Sequence, residues 1–323
     1  MFKLSGTLKV PLFIIYAIMK QLIAAKKGRE NMKNKEGVIY GLMGYFLWGV
    51  LPIYWRSIKG VGAFEILASR IVWALLFMVL VLVVSGKWSE FLQEFKRICS
   101  NRKKLFTVIG AGICILLNWG IFIWAVSESR IIETSMGYYI NPLVSVLFGV
   151  IFLGEKLDLW SKTAVALASV GVGIMIFNVG IFPWISASLA LSFAFYGLLK
   201  KTLRVDTKTS ILLETLVVMP LALGYIGYLS FYGQAAWQTA STTSLTLLVV
   251  SGPVTAIPLL LFTAAAKLLP LSFIAFLQYL TPTLSLIIGV FMYGEVFTVG
   301  HLLSFAWIWA GLVVFTINQF RSK

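Results

Sequence analysis

Two prolines stand within long apolar segments, where they can create polar sites at membrane depth. Pro142 and Pro282 both lie among Leu, Val, Ile and Phe residues. A proline inside a helix has no backbone N–H and frees the carbonyl four residues earlier, here on Tyr138 and Gln278. We predict that each proline kinks its helix and frees a carbonyl for solute binding. The alternative is a kink that only improves packing.

Aromatic and amide side chains accompany these prolines and could line a cavity. Tryptophan and tyrosine rings offer apolar faces with one polar edge, and a buried amide in a membrane span faces the protein interior by default. Such a lining suits an amphipathic or aromatic small molecule. The candidate solute-binding residues are Trp48, Asn118, Trp119, Tyr138, Tyr139, Asn141, Pro142, Thr255, Gln278, Tyr279, Thr281 and Pro282.

Three charged residues also fall within apolar segments, where a charge costs about 2.5–3.5 kcal/mol on insertion scales. Arg70 lies about two helical turns into its segment and suits a solute pathway or a salt bridge. Glu65 lies near the end of the same segment, so a position at the membrane interface also explains it. Glu214, about one and a half turns into another segment, is a candidate for proton coupling.

The sequence lacks the residues for most enzymatic or metal chemistry. It contains one histidine, His301, and two cysteines, which support neither a His-based metal cluster nor a disulfide framework. The two aspartates, Asp158 and Asp206, lie in separate loops, whereas a lipid-modifying enzyme would cluster acids at a membrane face. No G-x-x-x-x-G-K-[ST] loop is present, so the chain does not itself use ATP. We expect no cofactor, no metal site and no enzymatic activity.

Ten apolar blocks carry these candidate residues. The chain is 59% hydrophobic and 12% charged, about half the charged fraction of a soluble protein. Each block has roughly the 20 residues that cross a bilayer as a helix, and helices close all backbone hydrogen bonds within the segment. The predicted spans are residues 37–56, 63–85, 105–126, 132–153, 160–178, 181–199, 209–230, 244–266, 270–293 and 299–319.

Basic residues orient these spans. With the N-terminus in the cytoplasm, 23 of the 27 Lys and Arg residues fall on the cytoplasmic side, and three, Arg56, Lys59 and Arg130, fall outside. This split satisfies the positive-inside rule with both termini cytoplasmic and an even number of spans. The net charge of +15 therefore reflects membrane topology, and we expect the lipid bilayer rather than nucleic acid as a partner.

The N-terminal segment, residues 1–36, fits the span pattern poorly. Its apolar run, residues 10–19, is too short to cross a bilayer and is flanked by lysines. A signal peptide would need a small-residue cleavage site, which is absent after the run. Two interpretations remain: a basic helix on the membrane surface, or a start of translation at Met32 that makes the extension dispensable.

The sequence repeats itself at an offset of 140 residues, which aligns 118–178 with 258–318 without a gap. Tyr139 falls on Tyr279, Pro142 on Pro282 and Gly171 on Gly311. The first two spans of each half match more weakly, with Glu65 on Glu214 at an offset of 149. Since each half holds five spans, an odd number, the halves must cross the membrane in opposite directions. We predict an all-α membrane protein with two inverted repeats, residues 37–178 and 179–320.

Two repeated patterns are interpreted as structural. Gly154-Glu155 and Gly294-Glu295 end the fourth and ninth spans, where glycine suits a left-handed position and the glutamate complements the dipole of the next helix. The fifth and tenth spans carry small residues at helical spacing, which allow close contact within one chain or between two copies in a homodimer. These small residues are Ala164, Ala168, Ser169, Gly173, Ala306 and Ala310.

The chain from about Met32 onward resembles the EamA-type members of the drug/metabolite transporter superfamily, and most closely the RarD branch. The resemblance rests on residues 47–55, 118–119, 137–143, 153–155, 251–259 and 276–283. It covers both halves and implies a ten-helix, inverted-repeat carrier in a bacterial inner membrane. It implies no particular substrate, and residues 1–31 depart from the pattern.

The leading functional hypothesis is a secondary transporter for a small organic metabolite or drug. Two near-equivalent inverted halves can exchange conformations and expose one central site to either side in turn. The driving force would be a gradient or exchange. A channel or scaffold is the main alternative, and a membrane-embedded lipid-modifying enzyme is a weaker one.

Overall fold

The computed structural model describes residues 30–154, 158–179, 182–203, 205, 207–268 and 277–321. Within these ranges, regular secondary structure consists of helices, and no strand occurs. The helices are α1 (Glu30–Ser57), α2 (Ala63–Val84), α3 (Trp88–Cys99), α4 (Arg102–Ser127), α5 (Ile131–Leu153), α6 (Leu159–Val179), α7 (Trp184–Thr202), α8 (Thr207–Phe231), α9 (Ala236–Thr239), α10 (Thr242–Leu268), α11 (Leu280–Ile287) and α12 (Val299–Arg321). A π-helical turn, Ile288–Met292, continues α11.

Apolar composition predicted the long helices well. Among the described residues, six helices are long and apolar enough to cross a membrane, and α6, α7, α11 and α12 contain shorter apolar stretches. The chain is therefore an all-α membrane protein. Helix α1 begins at Glu30, seven residues before the predicted start, so part of the N-terminal segment belongs to it. Residues 1–29 of the N-terminal segment lie outside the described residues, so both interpretations of that segment stay predictions.

Local sequence signals explain several helix ends. The side chain of Asn101 accepts a hydrogen bond from the backbone N–H of Lys104 and caps α4. Asp158 accepts one from the N–H of Ser161 at the start of α6. Gly154 ends α5 with a φ of 67°, in the left-handed region that glycine enters without strain. Short polar side chains before a helix and glycine after it are the expected caps.

Helix α3 was missed because it lies in a basic loop. It is strongly amphipathic, with Phe91 and Ile98 buried and basic residues in its last turn. Trp88, Leu92 and Phe95 remain exposed. A short helix with exposed aromatic residues and flanking basic side chains is suited to the membrane interface.

The long helices pack in a defined set of pairs. Helix α1 contacts α10 and α11, α2 contacts α8 and α10, α4 contacts α7 and α8, α5 contacts α7 and α11, and α6 contacts α12. The chain is thus held together mostly by contacts between helices that are distant in sequence.

Helix α1 presents glycines to its two partners. A Cβ on Gly49 would lie 2.8 Å from the side chain of Leu284 on α11. A Cβ on Gly44 would lie 3.2 Å from the carbonyl oxygen of Pro258 on α10. Small residues allow helix backbones to approach closely in a membrane.

Helices α6 and α12 meet at a seam of small residues. A Cβ on Gly171 would lie 2.7 Å from the carbonyl oxygen of Ser304, and a Cβ on Gly311 would lie 2.7 Å from that of Ala164. Ala164 and Ala168 are buried in this contact, which is within one chain. The other predicted small residues lie off the seam: Ser169, Ala306 and Ala310 are exposed, and a Cβ on Gly173 would meet no atom within 4 Å.

Candidate solute-binding site

The most unusual side chain in the structure is Arg70 on α2. It is only 4% exposed. Its Cζ lies 4.0 Å from the centroid of the Trp119 ring and 5.0 Å from that of the Trp55 ring. The ion pairs found among the described residues do not include Arg70, and its Nε has no hydrogen-bond partner there. A buried cation therefore lies among aromatic rings without a counterion from the described part of the chain.

Asn118 lies beside this arginine cluster and binds protein groups. Its Nδ2 donates to the carbonyl of Leu189 and to the hydroxyl of Ser192, both at 3.0 Å. Its Oδ1 accepts a hydrogen bond from the Tyr138 hydroxyl at 3.3 Å. In this conformation the amide joins α4, α5 and α7, and it positions Tyr138 next to Arg70.

These groups share one depth in the molecule. Arg70, Trp119, Asn118, Tyr138 and Ser192 each lie seven to nine residues from the helix ends at Ala63, Ser127, Ile131 and Trp184. At 1.5 Å per residue, that is about 10–14 Å along the helix axes. The charge pattern predicts these ends to be external. The cluster thus forms a polar and aromatic layer inside the predicted hydrocarbon region.

A second group joins α5 to α11. Tyr139 is completely buried and stacks on Tyr279, with ring centroids 6.3 Å apart. Its hydroxyl lies 2.5 Å from the hydroxyl of Thr283. Thr281, next to the proline, donates to the backbone carbonyl of Tyr45 on α1. These predicted site residues make core contacts between helices.

The remaining candidates are dispersed. Trp48 packs against Tyr45 and Phe262. Asn141 is buried and accepts a hydrogen bond from Ser145. Thr255 is buried, and its hydroxyl has no hydrogen-bond partner in the described structure.

The structure describes Pro282 fully but Pro142 only at the backbone. Pro282 is buried, and the backbone forms a turn at Tyr279 before α11 begins at Leu280. Gln278 is half-buried just before this turn. The backbone of α5 stays helical through Pro142, whose side chain is outside the described part.

The two predicted acidic residues both anchor helices. Glu65 accepts a hydrogen bond from the backbone N–H of Ala236 at 2.5 Å, which ties α2 to α9. Glu214 accepts hydrogen bonds from Lys200, at 2.7 Å, and from Tyr196 and Ser210 at 3.0 and 2.5 Å. Each carboxylate is thus occupied by protein donors in this conformation.

Glu295 is a functional candidate that caps a different helix from the one that the sequence predicted. Its two carboxylate oxygens accept hydrogen bonds from the backbone N–H groups of Ile131 and Ile132, at 2.7 and 2.8 Å. It therefore caps α5, in the other half of the chain, rather than the next helix. Gly294 has a φ of 65°, as expected. Burial raises the pKa of Glu295, and the N–H groups of Ile132 and Ile131, together with Arg56, partly offset this rise.

Comparison with known proteins identifies the family. The pattern that defines the EamA-like transporter family matches residues 35–177. "Uncharacterized transporter YojE" of Bacillus subtilis is 41% identical over 91% of this chain and 98% of its own length. "Protein RarD" of Salmonella typhimurium is 41% identical over 91% of this chain and 99% of its own. The chain belongs to the EamA-like transporter family. It is a membrane transporter of the RarD-like type, as the resemblance implied, and not an enzyme.

More distant relatives share the fold of this EamA-like transporter. "Chloramphenicol-sensitive protein RarD" of Pseudomonas aeruginosa is 30% identical over 86% of this chain and 93% of its own length. A solved crystal structure with 17% sequence identity covers 87% of this chain and 98% of its own, with a TM-score of 0.59. That likeness concerns the fold alone.

Two residues of this site were missed in the transporter's sequence: Trp55, which faces Arg70, and Ser192, which binds Asn118. Trp55 lies two residues before the end of α1, where tryptophan commonly marks a membrane interface. Its buried ring instead faces Arg70. Ser192 carries no signal beyond being a polar residue in an apolar segment. The position of Arg70 within its span was the clue that led to the cluster.

We expect the Lys200–Glu214 pair to stabilise the contact between α7 and α8. Glu214→Gln leaves the Lys200 charge partly buried without its counterion, which should lower the free energy of unfolding by about 1–3 kcal/mol. Thermal unfolding of the purified protein in detergent, for Glu214→Gln, Lys200→Met and the double variant, measures the coupling. The double variant should lose less than the sum of the two single losses. Additive losses would mean that the two side chains do not interact.

Proposed function

We propose that this EamA-like transporter is a secondary carrier of a small organic metabolite or drug, working by alternating access in a bacterial inner membrane. The proposal includes ten spans in two inverted five-helix halves, with both termini in the cytoplasm. The name of the Pseudomonas aeruginosa relative, "Chloramphenicol-sensitive protein RarD", mentions a drug and is the reason for including drugs among the proposed solutes. A reporter that is active only in the cytoplasm, fused after Lys323, tests the position of the C-terminus.

The observation that carries the proposal is the symmetric glycine seam between α6 and α12. Gly171 faces the carbonyl oxygen of Ser304 and Gly311 faces that of Ala164, and a Cβ added to either glycine would lie 2.7 Å from that oxygen. The repeat offset of 140 relates Gly171 to Gly311 and Ala164 to Ser304. Each contact is therefore the image of the other under exchange of the halves. Such a pair of contacts is expected when an approximate twofold axis passes through the seam.

The most extensive of the other helix contacts follow the same exchange, whereas the smaller contact between α2 and α4 has no comparable counterpart between α8 and α10 among the described residues. The exchange replaces α1 by α7, α2 by α8, α4 by α10 and α5 by α11. Under this exchange the pair α5–α7 becomes α11–α1. The pair α1–α10 becomes α7–α4, and the pair α2–α10 becomes α8–α4. Both the original pair and its image are in contact in each case. The pairs α2–α8 and α5–α11 are converted into themselves. An architecture in which the halves are interchangeable supports alternating access, because each half can adopt the arrangement of the other.

Glu295 supports the same mechanism at one end of the molecule. Its carboxylate joins the segment after α11 to the N-terminus of α5, and this end is predicted to be external. Arg56 lies over the ring of Tyr293 nearby, with 4.0 Å between Cζ and the centroid. In the proposed carrier these contacts would hold the ends of α5 and α11 together on the external side, and they would have to break for that side to open.

Flux measurements on the purified full chain in liposomes test the function. Small organic solutes are screened for uptake with and without a proton gradient. A carrier shows saturable uptake, and unlabelled solute inside the vesicles accelerates entry of labelled solute. A flux that rises linearly with concentration and shows no such exchange would favour the channel alternative and overturn the proposal.

A further inference from the structure

The arginine cluster, which we define as Arg70, Trp55, Trp119 and Tyr138, contains more hydrogen-bond donors than acceptors. The Nε of Arg70 and the indole Nε1 of Trp55 are both buried, and neither has a hydrogen-bond partner among the described residues. Buried polar groups are normally paired, so an unpaired donor in a native structure requires an explanation. Two neighbouring unpaired donors, one of them on a cation, match a ligand that supplies acceptors and negative charge.

The geometry keeps the guanidinium available for such a ligand. The Cζ of Arg70 lies over the Trp119 ring, 4.0 Å from its centroid, and 5.0 Å from the centroid of the Trp55 ring. An aromatic ring attracts the cation without replacing its N–H···O hydrogen bonds, and the Nε donor has no partner among the described residues. Two parallel N–H donors match the two oxygens of a carboxylate, and the surrounding rings match an apolar body attached to it.

The cluster does not follow the internal repeat. The offset of 149 residues, which places Glu65 on Glu214, places Arg70 on Met219. The offset of 140 places Trp119 on Leu259. The contacts that build the symmetric scaffold occur twice, as at Gly171 and Gly311, whereas this cation and its ring occur in one half only. A feature needed for solute recognition, rather than for the scaffold, is free to be asymmetric.

We propose that the arginine cluster binds the carboxylate of the transported solute, an organic anion with an aromatic or other flat apolar body. Arg70 supplies the charge and the paired donors, Trp55 supplies a further donor, and the rings of Trp119 and Trp55 pack against the body. This inference rests on the proposed carrier function and names its substrate class. The depth of about 10 Å from the helix end places recognition inside the membrane, where the attraction between opposite charges is stronger than in water.

Three probes with the same phenyl group and chain length test the charge preference: 3-phenylpropionate, 3-phenylpropanol and 3-phenylpropylamine. Binding to the full chain is measured by calorimetry in nanodiscs of phosphatidylcholine, which has no net negative headgroup. We expect the acid to bind at least about tenfold more tightly than the alcohol, which corresponds to about 1.4 kcal/mol, and the amine to bind least. Phenylethylphosphonate serves as a second anion, and tighter binding of the phosphonate than of the acid would overturn the assignment to a carboxylate.

Substitutions test whether Arg70 causes the preference for the acid over the alcohol and the amine. Arg70→Met should abolish it, Arg70→Lys should retain part of it, and Lys59→Gln, which removes an exposed charge near the same end, should leave it unchanged. Equal binding of all three probes to the parent, including no binding, would overturn the proposal, as would a preference that survives Arg70→Met.

A stability measurement separates recognition from packing. If Arg70 is a ligand group, Arg70→Met should unfold at a temperature no lower than the parent, because an unpaired buried cation is replaced by an apolar chain of similar length. A markedly lower unfolding temperature would make Arg70 a packing residue and count against the proposal. Saturable flux without charge preference would overturn this inference alone, whereas charge-selective binding without flux would overturn the carrier function alone.

Discussion

Replacing Gly252 with alanine is expected to prevent stable assembly of the protein in the membrane. A Cβ at this position on α10 would lie 2.3 Å from the carbonyl oxygen of Trp73 and 2.4 Å from its carbonyl carbon, on α2. These are backbone atoms, so no side-chain rotation can relieve the overlap, and the two helices would have to separate. We expect a loss of about 3 kcal/mol or more, at the upper end of overpacking costs. Membrane abundance, monodispersity in detergent and thermal unfolding would measure it.

Gly224→Ala is the matched control, because a Cβ there would meet no atom within 4 Å. This position lies within α8, where alanine is a better helix former than glycine by about 1 kcal/mol. The control should therefore be as abundant and at least as stable as the parent. If Gly252→Ala behaved like Gly224→Ala, the crossing of α2 and α10 would have to be looser than described.

Glu295→Ala is expected to open the end of the transporter that is predicted to be external. The substitution removes two hydrogen bonds to the N-terminus of α5 and leaves those N–H groups without a partner. Hydrogen bonds to a charged group are worth about 1.5–3 kcal/mol each, so the open state should gain at least about tenfold in population. Met136, one turn below Ile132, is 0% exposed. A cysteine at this position, in a chain lacking Cys99 and Cys114, should react faster with an external, membrane-impermeant maleimide.

The control for this prediction is Glu133→Gln. Glu133 also lies near the start of α5, but it forms an ion pair with Arg130 at 2.6 Å, three residues away on the same chain segment. It does not join α5 to the segment after α11, and its charge opposes ionisation of Glu295, so its loss should not increase the labelling rate. Equal labelling rates in the Glu295→Ala variant and the parent would show that the carboxylate does not hold this end closed.

Acidification is expected to favour the closed state. Burial raises the pKa of Glu295, Glu133 adds to the rise, and the hydrogen bonds from Ile132 and Ile131, with the Arg56 charge, offset part of it. In an open, solvated mouth the carboxyl regains its ordinary pKa, so the closed state binds the proton more tightly. Maleimide reacts with the thiolate, so labelling slows at low pH in every variant. The ratio of the labelling rate of the parent to that of Glu295→Gln should therefore be compared, and it should fall as the external pH is lowered through the raised pKa of Glu295.

The helices could be predicted from the sequence because the properties that determine them belong to short, continuous segments of the chain. Span length, apolar composition and the end residues Asn101, Asp158 and Gly154 are properties of short segments. Helix α3 was missed for a complementary reason: its periodic apolar residues are few and lie among the charges of a loop. The buried face that carries Phe91 and Ile98 exists only because other helices cover it.

The candidate site was predicted less completely because its contacts join distant segments. Arg70 could be singled out as a charge in an apolar span, but the absence of a described counterion and the presence of Trp55 follow from tertiary packing. Glu295 shows the same limit. A glutamate four residues before a helix suggests a cap for that helix, and the actual recipient, α5, lies 164 and 163 residues earlier.

The glycine face of α1 has a consequence for biogenesis. Gly49 packs against Leu284, 235 residues later in the chain. At a synthesis rate of about 5–20 residues per second, α1 resides in the membrane for roughly 12–47 seconds before that partner exists. This delay costs little free energy, because lipid tails are as apolar as a neighbouring helix and α1 lacks only close packing during that time. The pairing of α1 is therefore decided after the chain has been inserted, when α10 and α11 arrive to displace lipid from its glycines.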